Sequence, residues 1–218
     1  MFRELNIPDE HTAAVSEVTA TSLERTVTDC AGWMSRPQAL AAVDQLLRAG
    51  AVAAAADRIS RAAAASPHSV RARQILAVAD ARSESPGESQ TRCLIIDAGF
   101  PRPECQIPLL GGKVRLDMGY PELHQAVEYD GREHHSLDAA RHDKERRRRI
   151  GDAGWNVLVV TRDSILVNPE IFYRQLMRRM LDSGWRPRTG ELKMIQRRIN
   201  YICMKHRQAR EQGRLLFL

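Results

Sequence analysis

The sequence predicts an α+β protein: a helical N-terminal region, a core of order α-β-β-β-α-β, and helices that close the chain. Three observations carry this. Helical spacing with repeated capping signals runs from about residue 21 to about residue 80. The apolar pattern then switches to period two between Cys105 and Asp130. A basic helical stretch next leads into the continuous apolar run Trp155–Thr161. At 218 residues, the chain can hold one large domain or two small ones.

Residues 1 to about 20 show no sustained period and are expected to form a loose arm. Thr21-Ser22 caps a first helix carrying Leu23, Val27 and Cys30. Ser35 caps a second, with Pro37 just inside it; Leu40, Val43, Leu46 and Leu47 face inward and Gly50 ends it. An Ala-rich third helix is expected over 51–65. A fourth opens at Ser66-Pro67, with Val70, Ile75, Leu76 and Val78 inside. The Ser-, Glu-, Pro- and Gly-rich stretch from Asp80 to Ser89 marks a boundary, giving regions 1–82 and 83–218.

Ser85-Pro86-Gly87-Glu88 reads as a capping box for a helix that stops at Gly99. Cys105–Leu110 is a strand, Gly111-Gly112 a two-residue hairpin turn, and Val114–Tyr120 the return strand. After a turn at Pro121-Glu122, Gln125–Asp130 is a third strand, which Gly131 ends. A basic helix covers about 137–153. Trp155–Thr161 is a strand expected to be covered on both faces, with Trp155 as a core anchor. Helices over about 169–183 and 190–212 follow.

Charge is unevenly placed. The net charge is +6; Arg162–Leu218 holds 13 Lys/Arg and 5 Asp/Glu, or +8, leaving −2 for the rest. A basic C-terminal third suggests a polyanionic partner, most often nucleic acid. No stretch is apolar enough to span a membrane, and the N-terminus has no signal-peptide core. Four scattered cysteines without Cys-x-x-Cys spacing read as reduced thiols, so a cytoplasmic protein is expected. Oligomeric state is not legible.

The chemistry concentrates at Asp117 and at Glu128-Tyr129-Asp130-Gly131-Arg132-Glu133-His134-His135. Residues i and i+2 on a strand share a face, so Glu128 and Asp130 point one way and Val127 and Tyr129 the other. Asp117 lies on the neighbouring antiparallel strand. Three carboxylates from two strands suit a hard cation, Mg²⁺ or Mn²⁺, which keeps several waters. Such a cation polarises a phosphodiester and lowers the pKa of bound water. His135, or less readily His134, is near enough to act as a base or phosphate ligand. The helix stretch Arg141-His-Asp-Lys-Glu-Arg-Arg-Arg-Arg149 carries Asp143 and a cationic face. Arg132, Arg141, Lys144, Arg147 and Arg148 are the candidate contacts to a DNA backbone. Two bland readings stand beside these: Glu88 is explained by the cap alone, and Asp143 by an ion pair with Arg147.

The order α-β-β-β-α-β with Asp117…Glu128-x-Asp130 resembles the PD-(D/E)XK nuclease superfamily. It is most similar to the branch related to the very-short-patch mismatch repair endonuclease. The resemblance covers about Ser85 to Thr161. It implies a restriction-endonuclease-like core and Mg²⁺-dependent DNA endonuclease activity. Asp117, Glu128 and Asp130 are then the implied metal ligands, with Glu88, His135 and Asp143 around the scissile phosphate. The superfamily's Glu-x-Lys becomes Glu128-Tyr129-Asp130 here, so no lysine stands in the usual place. The alternative is a nuclease fold that binds nucleic acid without cutting it.

Upstream, Thr21-Ser-Leu-Glu-Arg-Thr-Val-Thr-Asp-Cys30 resembles the middle helical region of actinobacterial proteins related to AbiEi-family antitoxins of type IV toxin–antitoxin systems. Those proteins usually begin with a winged-helix module, for which the residues before Thr21 are too few. This resemblance implies a toxin or other protein partner for the N-terminal helices, and an antitoxin-like regulatory role.

Overall fold

The computed structural model describes residues 7–51, 59, 61, 69–131 and 137–212. The architecture is α+β, as the sequence predicts. The chain divides into two compact units, Met1–Ala81 and Arg82–Leu218.

The first unit begins with a hairpin where a loose arm is expected. Strands β1 (Thr12–Val15) and β2 (Val18–Thr21) pair antiparallel, with Val15 opposite Val18. Their side chains are largely exposed, so no apolar alternation marks them in the sequence. Helix α1 (Leu23–Trp33) starts at Ser22, whose hydroxyl accepts the Arg25 N–H over 3.3 Å. Helix α2 (Arg36–Leu46) starts at Ser35, and Gln38 completes a capping box. It runs on through a π-helical turn, Leu47–Ala51, instead of ending at Gly50. Helix α3 spans Ser69–Leu76. Val27, Ala31, Leu40, Val43, Ala72 and Ile75 are buried. Val70, expected inside, is exposed. Arg71 donates to the carbonyls of Gly32 and Met34, which ties α3 to the end of α1. The helix expected over 51–65 lies outside the described residues, apart from 51, 59 and 61.

The second unit is built on a four-stranded sheet. Helix α4 (Pro86–Ala98) enters through Ser85 and leaves at Gly99, which takes the left-handed conformation. Strands β3 (Glu104–Leu109), β4 (Val114–Tyr120) and β5 (Gln125–Asp130) follow. Helix α5 (Leu137–Asp152), strand β6 (Asn156–Thr161), and helices α6 (Arg162–Leu166), α7 (Pro169–Asp182) and α8 (Glu191–Glu211) complete the unit. The sheet order is β3-β4-β5-β6, with β6 parallel to β5 and the other pairs antiparallel. From α4 to β6 this is the expected α-β-β-β-α-β order. The β3–β4 connection is longer than the expected Gly-Gly turn, because Leu109 pairs with Val114 across residues 110–113. Helix α6 was not expected; Thr161 and Ser164 cap it.

The two sheet faces bury different cores. Leu94, Ile95, Met118, Val127, Leu158, Val160, Phe172, Leu176 and Ile195 pack together, joining one face to α4, α7 and α8. On the other face Ile107, Val114, Leu116 and Ala126 pack with Ile150 of α5 and Trp155. Trp155 is a core anchor, edge-on to His124. The strand β6 is not fully covered: Leu158 and Val160 are buried, whereas Val157 and Val159 are half-buried.

Strand β4 changes face midway. Leu116 and Met118 differ by two and should share a face, yet they belong to opposite cores. The slip falls at Asp117. Its cross-strand position Gln106 is missing from the β3–β4 ladder and has φ 55°, a left-handed conformation. The register is the same on either side, with Cys105 opposite Met118 and Ile107 opposite Leu116, so no residue is inserted; the ladder is interrupted at this one pair. Leu116 and Asp117 therefore turn to the same side, the side of α5.

Candidate active site

The slip in β4 and the regular alternation of β5 bring carboxylates together. Met118 pairs with Val127, so one further step along the ladder sets Asp117 beside Glu128. The Tyr129 N–H donates to Asp117 Oδ2 over 2.9 Å. Asp117, Glu128, Tyr129, Asp130, Asp143, Arg146, Arg147 and Val159 line one cavity of about 130 Å³. The structure thus gathers four of the sequence-predicted site residues, Asp117, Glu128, Asp130 and Asp143.

Glu88 lies just behind this group. Its carboxylate accepts from the Glu84 N–H, the Ser85 hydroxyl and the Gln106 amide, each at 2.9 Å. The cap reading of Glu88 holds in one half: the Ser85 hydroxyl accepts the Glu88 N–H over 3.2 Å, but the Glu88 carboxylate takes the N–H of Glu84 instead of that of Ser85, and Gln106 adds a link from α4 to β3. Its charge still reaches Asp117. Burial, with Glu88 and Glu128 as like-charged neighbours, pushes the Asp117 carboxyl up to about 7, against the Tyr129 hydrogen bond and Arg146.

Arg146 is the residue that sequence reasoning missed. Its Nη1 donates to Glu128 Oε2 over 2.8 Å and its Nη2 to Glu128 Oε1 over 2.6 Å. Nη2 also reaches the Arg115 carbonyl at 2.9 Å. These bonds to Glu128 hold the guanidinium above its ordinary pKa, and Asp117 and Asp143 add to that. A signal for it was present. Ile150 is the buried anchor of α5, and Asp143, Arg146 and Arg147 precede it by seven, four and three residues, which is one helix face.

The cationic candidates divide by position. Arg147 is exposed and lines the cavity. Lys144 is exposed. Arg148 is turned to Glu145 and Asp152, at 2.9 Å each. Arg141 lies in α5, but its side chain is outside the described residues, as are Arg132, His134 and His135.

Two proteins of Mycobacterium tuberculosis are similar to this chain: the uncharacterized protein MT2308 of strain CDC 1551 and the uncharacterized protein Rv2248 of strain H37Rv. Each is 35% identical over 162 residues, covering 71% of this chain. The chain spans 59% of the length of these relatives. No family model matches, and no solved structure matches.

The donor set has the chemistry a hard divalent cation takes: carboxylate oxygens on two adjacent strands. A cation already stands there in the form of the Arg146 guanidinium, while burial first, and then the neighbouring Glu88 and Glu128 charges, raise the Asp117 carboxyl. The expected ligand trio Asp117, Glu128 and Asp130 is nevertheless not set for coordination. Among the described residues, no group of three His, Cys, Asp or Glu side chains is arranged to hold a metal ion. Both Glu128 oxygens are engaged by Arg146.

Proposed function

We propose that residues 82–218 form a divalent-metal-dependent DNA endonuclease domain of the PD-(D/E)XK type, which hydrolyses phosphodiesters. One observation carries this reading. Four carboxylates from β4, β5 and α5 line a single cavity at the sheet junction of an α-β-β-β-α-β core, beside Arg146 and Arg147. Asp117 and Glu128 would hold the cation, Mg²⁺ or Mn²⁺, with Asp130 beside them, once Glu128 is released from Arg146. When bound there, such an ion would polarise the phosphate and make a bound water more acidic. Arg147 and Lys144 contact the nucleic-acid backbone, where each contact adds salt-sensitive affinity. The protein acts in the cytoplasm, a reading that the four free cysteines support.

Cleavage of single- and double-stranded DNA by the purified chain, with Mg²⁺ or Mn²⁺, tests the proposal. Asp117→Ala is expected to abolish cutting and to leave DNA binding. Failure to cut any DNA or RNA substrate with either metal would overturn it.

A second reading is supported by Asp130 in the lysine position and by the engaged state of Glu128. In it the fold binds nucleic acid without cutting, as an antitoxin-like regulator, and α1–α3 meet a toxin or other protein. That reading predicts no metal binding and no effect of Asp117→Ala on function.

A further inference from the structure

The carboxylate cavity and its arginine are two parts of one device. We infer that Arg146 is a built-in counter-cation that keeps the site closed to metal, and that a divalent ion enters by taking Glu128 from it. The inference rests on the metal reading above.

The geometry supports exchange more than coexistence. A hard cation on the β4–β5 carboxylates needs at least one Glu128 oxygen, and Arg146 spans both, at 2.6 and 2.8 Å. The cavity is about 130 Å³, so a guanidinium and a divalent ion would stand side by side with little screening between them. Arg146 is also the side chain best placed to leave. It is partly exposed, whereas Glu128 is almost covered. It keeps a second anchor, the Arg115 carbonyl on β4, which does not depend on Glu128. Asp143 lies three residues earlier on the same helix, in the same cavity wall, and attracts the same guanidinium. A displaced Arg146 would therefore stay at the site, held through Nη2 by the Arg115 carbonyl, with the Nη1 donors given up by Glu128 open to another acceptor. Arginine forks suit phosphate as well as carboxylate, so the freed group is poised to hold a phosphate oxygen of the nucleic acid. Metal and backbone phosphate would then bind cooperatively, because each removes one partner from the closed pair.

Calorimetric titration of Mn²⁺ into the full chain, without nucleic acid, is the test. The wild type is compared with Arg146→Met and Asp117→Asn, all checked for folding by circular dichroism. Arg146→Met is expected to bind Mn²⁺ on the order of tenfold more tightly than the wild type, since Glu128 no longer has to give up its partner. It should also gain more in melting temperature on adding Mn²⁺. Asp117→Asn should bind weakly. Equal or weaker binding by Arg146→Met, with the wild type binding well, would overturn the exchange and leave the metal reading intact. No binding by either protein would overturn both. If Arg146→Met does not fold, Arg146→Lys gives the same comparison, because a lysine keeps the charge but cannot span both oxygens.

Discussion

The ring of Tyr129 lies against the backbone of Gly87, so closely that a Cβ at position 87 would sit 2.0 Å from Tyr129 Cε1. The first turn of α4 is thereby fitted to β5 one residue from Glu88 and one from Glu128. Gly87→Ala should therefore push α4 and β5 apart at the site. A loss of about 1–3 kcal/mol is expected from overpacking against an aromatic ring held by its strand. Chemical denaturation measures it. The companion variant Tyr129→Leu should relieve part of the loss, giving a non-additive double mutant.

Asp117 makes stability depend on pH in an unusual direction for a carboxylate. Its pKa is raised to about 7 in the folded chain, against about 3.9 when unfolded. The folded state holds the proton more tightly, so between pH 4 and 7 it binds more protons than the unfolded state. Stability from this group is thus full below about pH 4 and is lost as pH rises through 7. Asp117→Asn, which keeps an acceptor for the Tyr129 N–H, should flatten that slope. Urea midpoints from pH 4 to 8 in the presence of EDTA would show it; parallel curves for the two proteins would contradict the assignment.

Glu88 serves the fold first. Its carboxylate collects three hydrogen bonds, from Glu84, Ser85 and Gln106. Glu88→Ala should cost about 1–3 kcal/mol, the range for a cap lost together with buried donors left unpaired. It also removes a like charge from Asp117, so the Asp117 carboxyl should titrate lower. Carbon-detected NMR titration reads that shift directly, and Glu88→Gln should reproduce it with a smaller loss of stability.

Most of this was legible because it rests on local signals. The period-two runs place β4 and β5 at their observed limits, and Ser85-Pro86-Gly87-Glu88 marks the start of α4. Alternation alone puts Glu128 and Asp130 on one face, and they share a cavity. What was hidden depends on partners distant in sequence. The β1–β2 hairpin buries little, so burial leaves no pattern to read. The face change at Asp117 requires Gln106 at φ 55°, which no rule for glutamine suggests. Arg146 was one of four consecutive arginines, and only the burial of Ile150 separates it from Arg148.

Arg147 and Arg148 should behave differently toward nucleic acid. Arg147 is exposed on the cavity wall, whereas Arg148 is bound to Glu145 and Asp152. Arg147→Ala should weaken DNA binding across sequences and lower the slope of log affinity against log salt by about 1. Arg148→Ala should leave the slope nearly unchanged. Fluorescence anisotropy over a salt series distinguishes them, and equal slopes for both variants would place the backbone contacts elsewhere.

The slip at Asp117 also divides β4 into two stretches that answer to different neighbours. Ahead of it, even-numbered residues such as Val114 and Leu116 serve the α5 side; after it, even-numbered Met118 and Tyr120 serve the opposite core. A redesign or homologue comparison that assumes one alternating frame along the whole strand would turn half of it inside out. Sequence change in the Leu109–Val114 hairpin can accumulate against α5 alone, while the stretch from Met118 onward stays bound to the helices across the sheet.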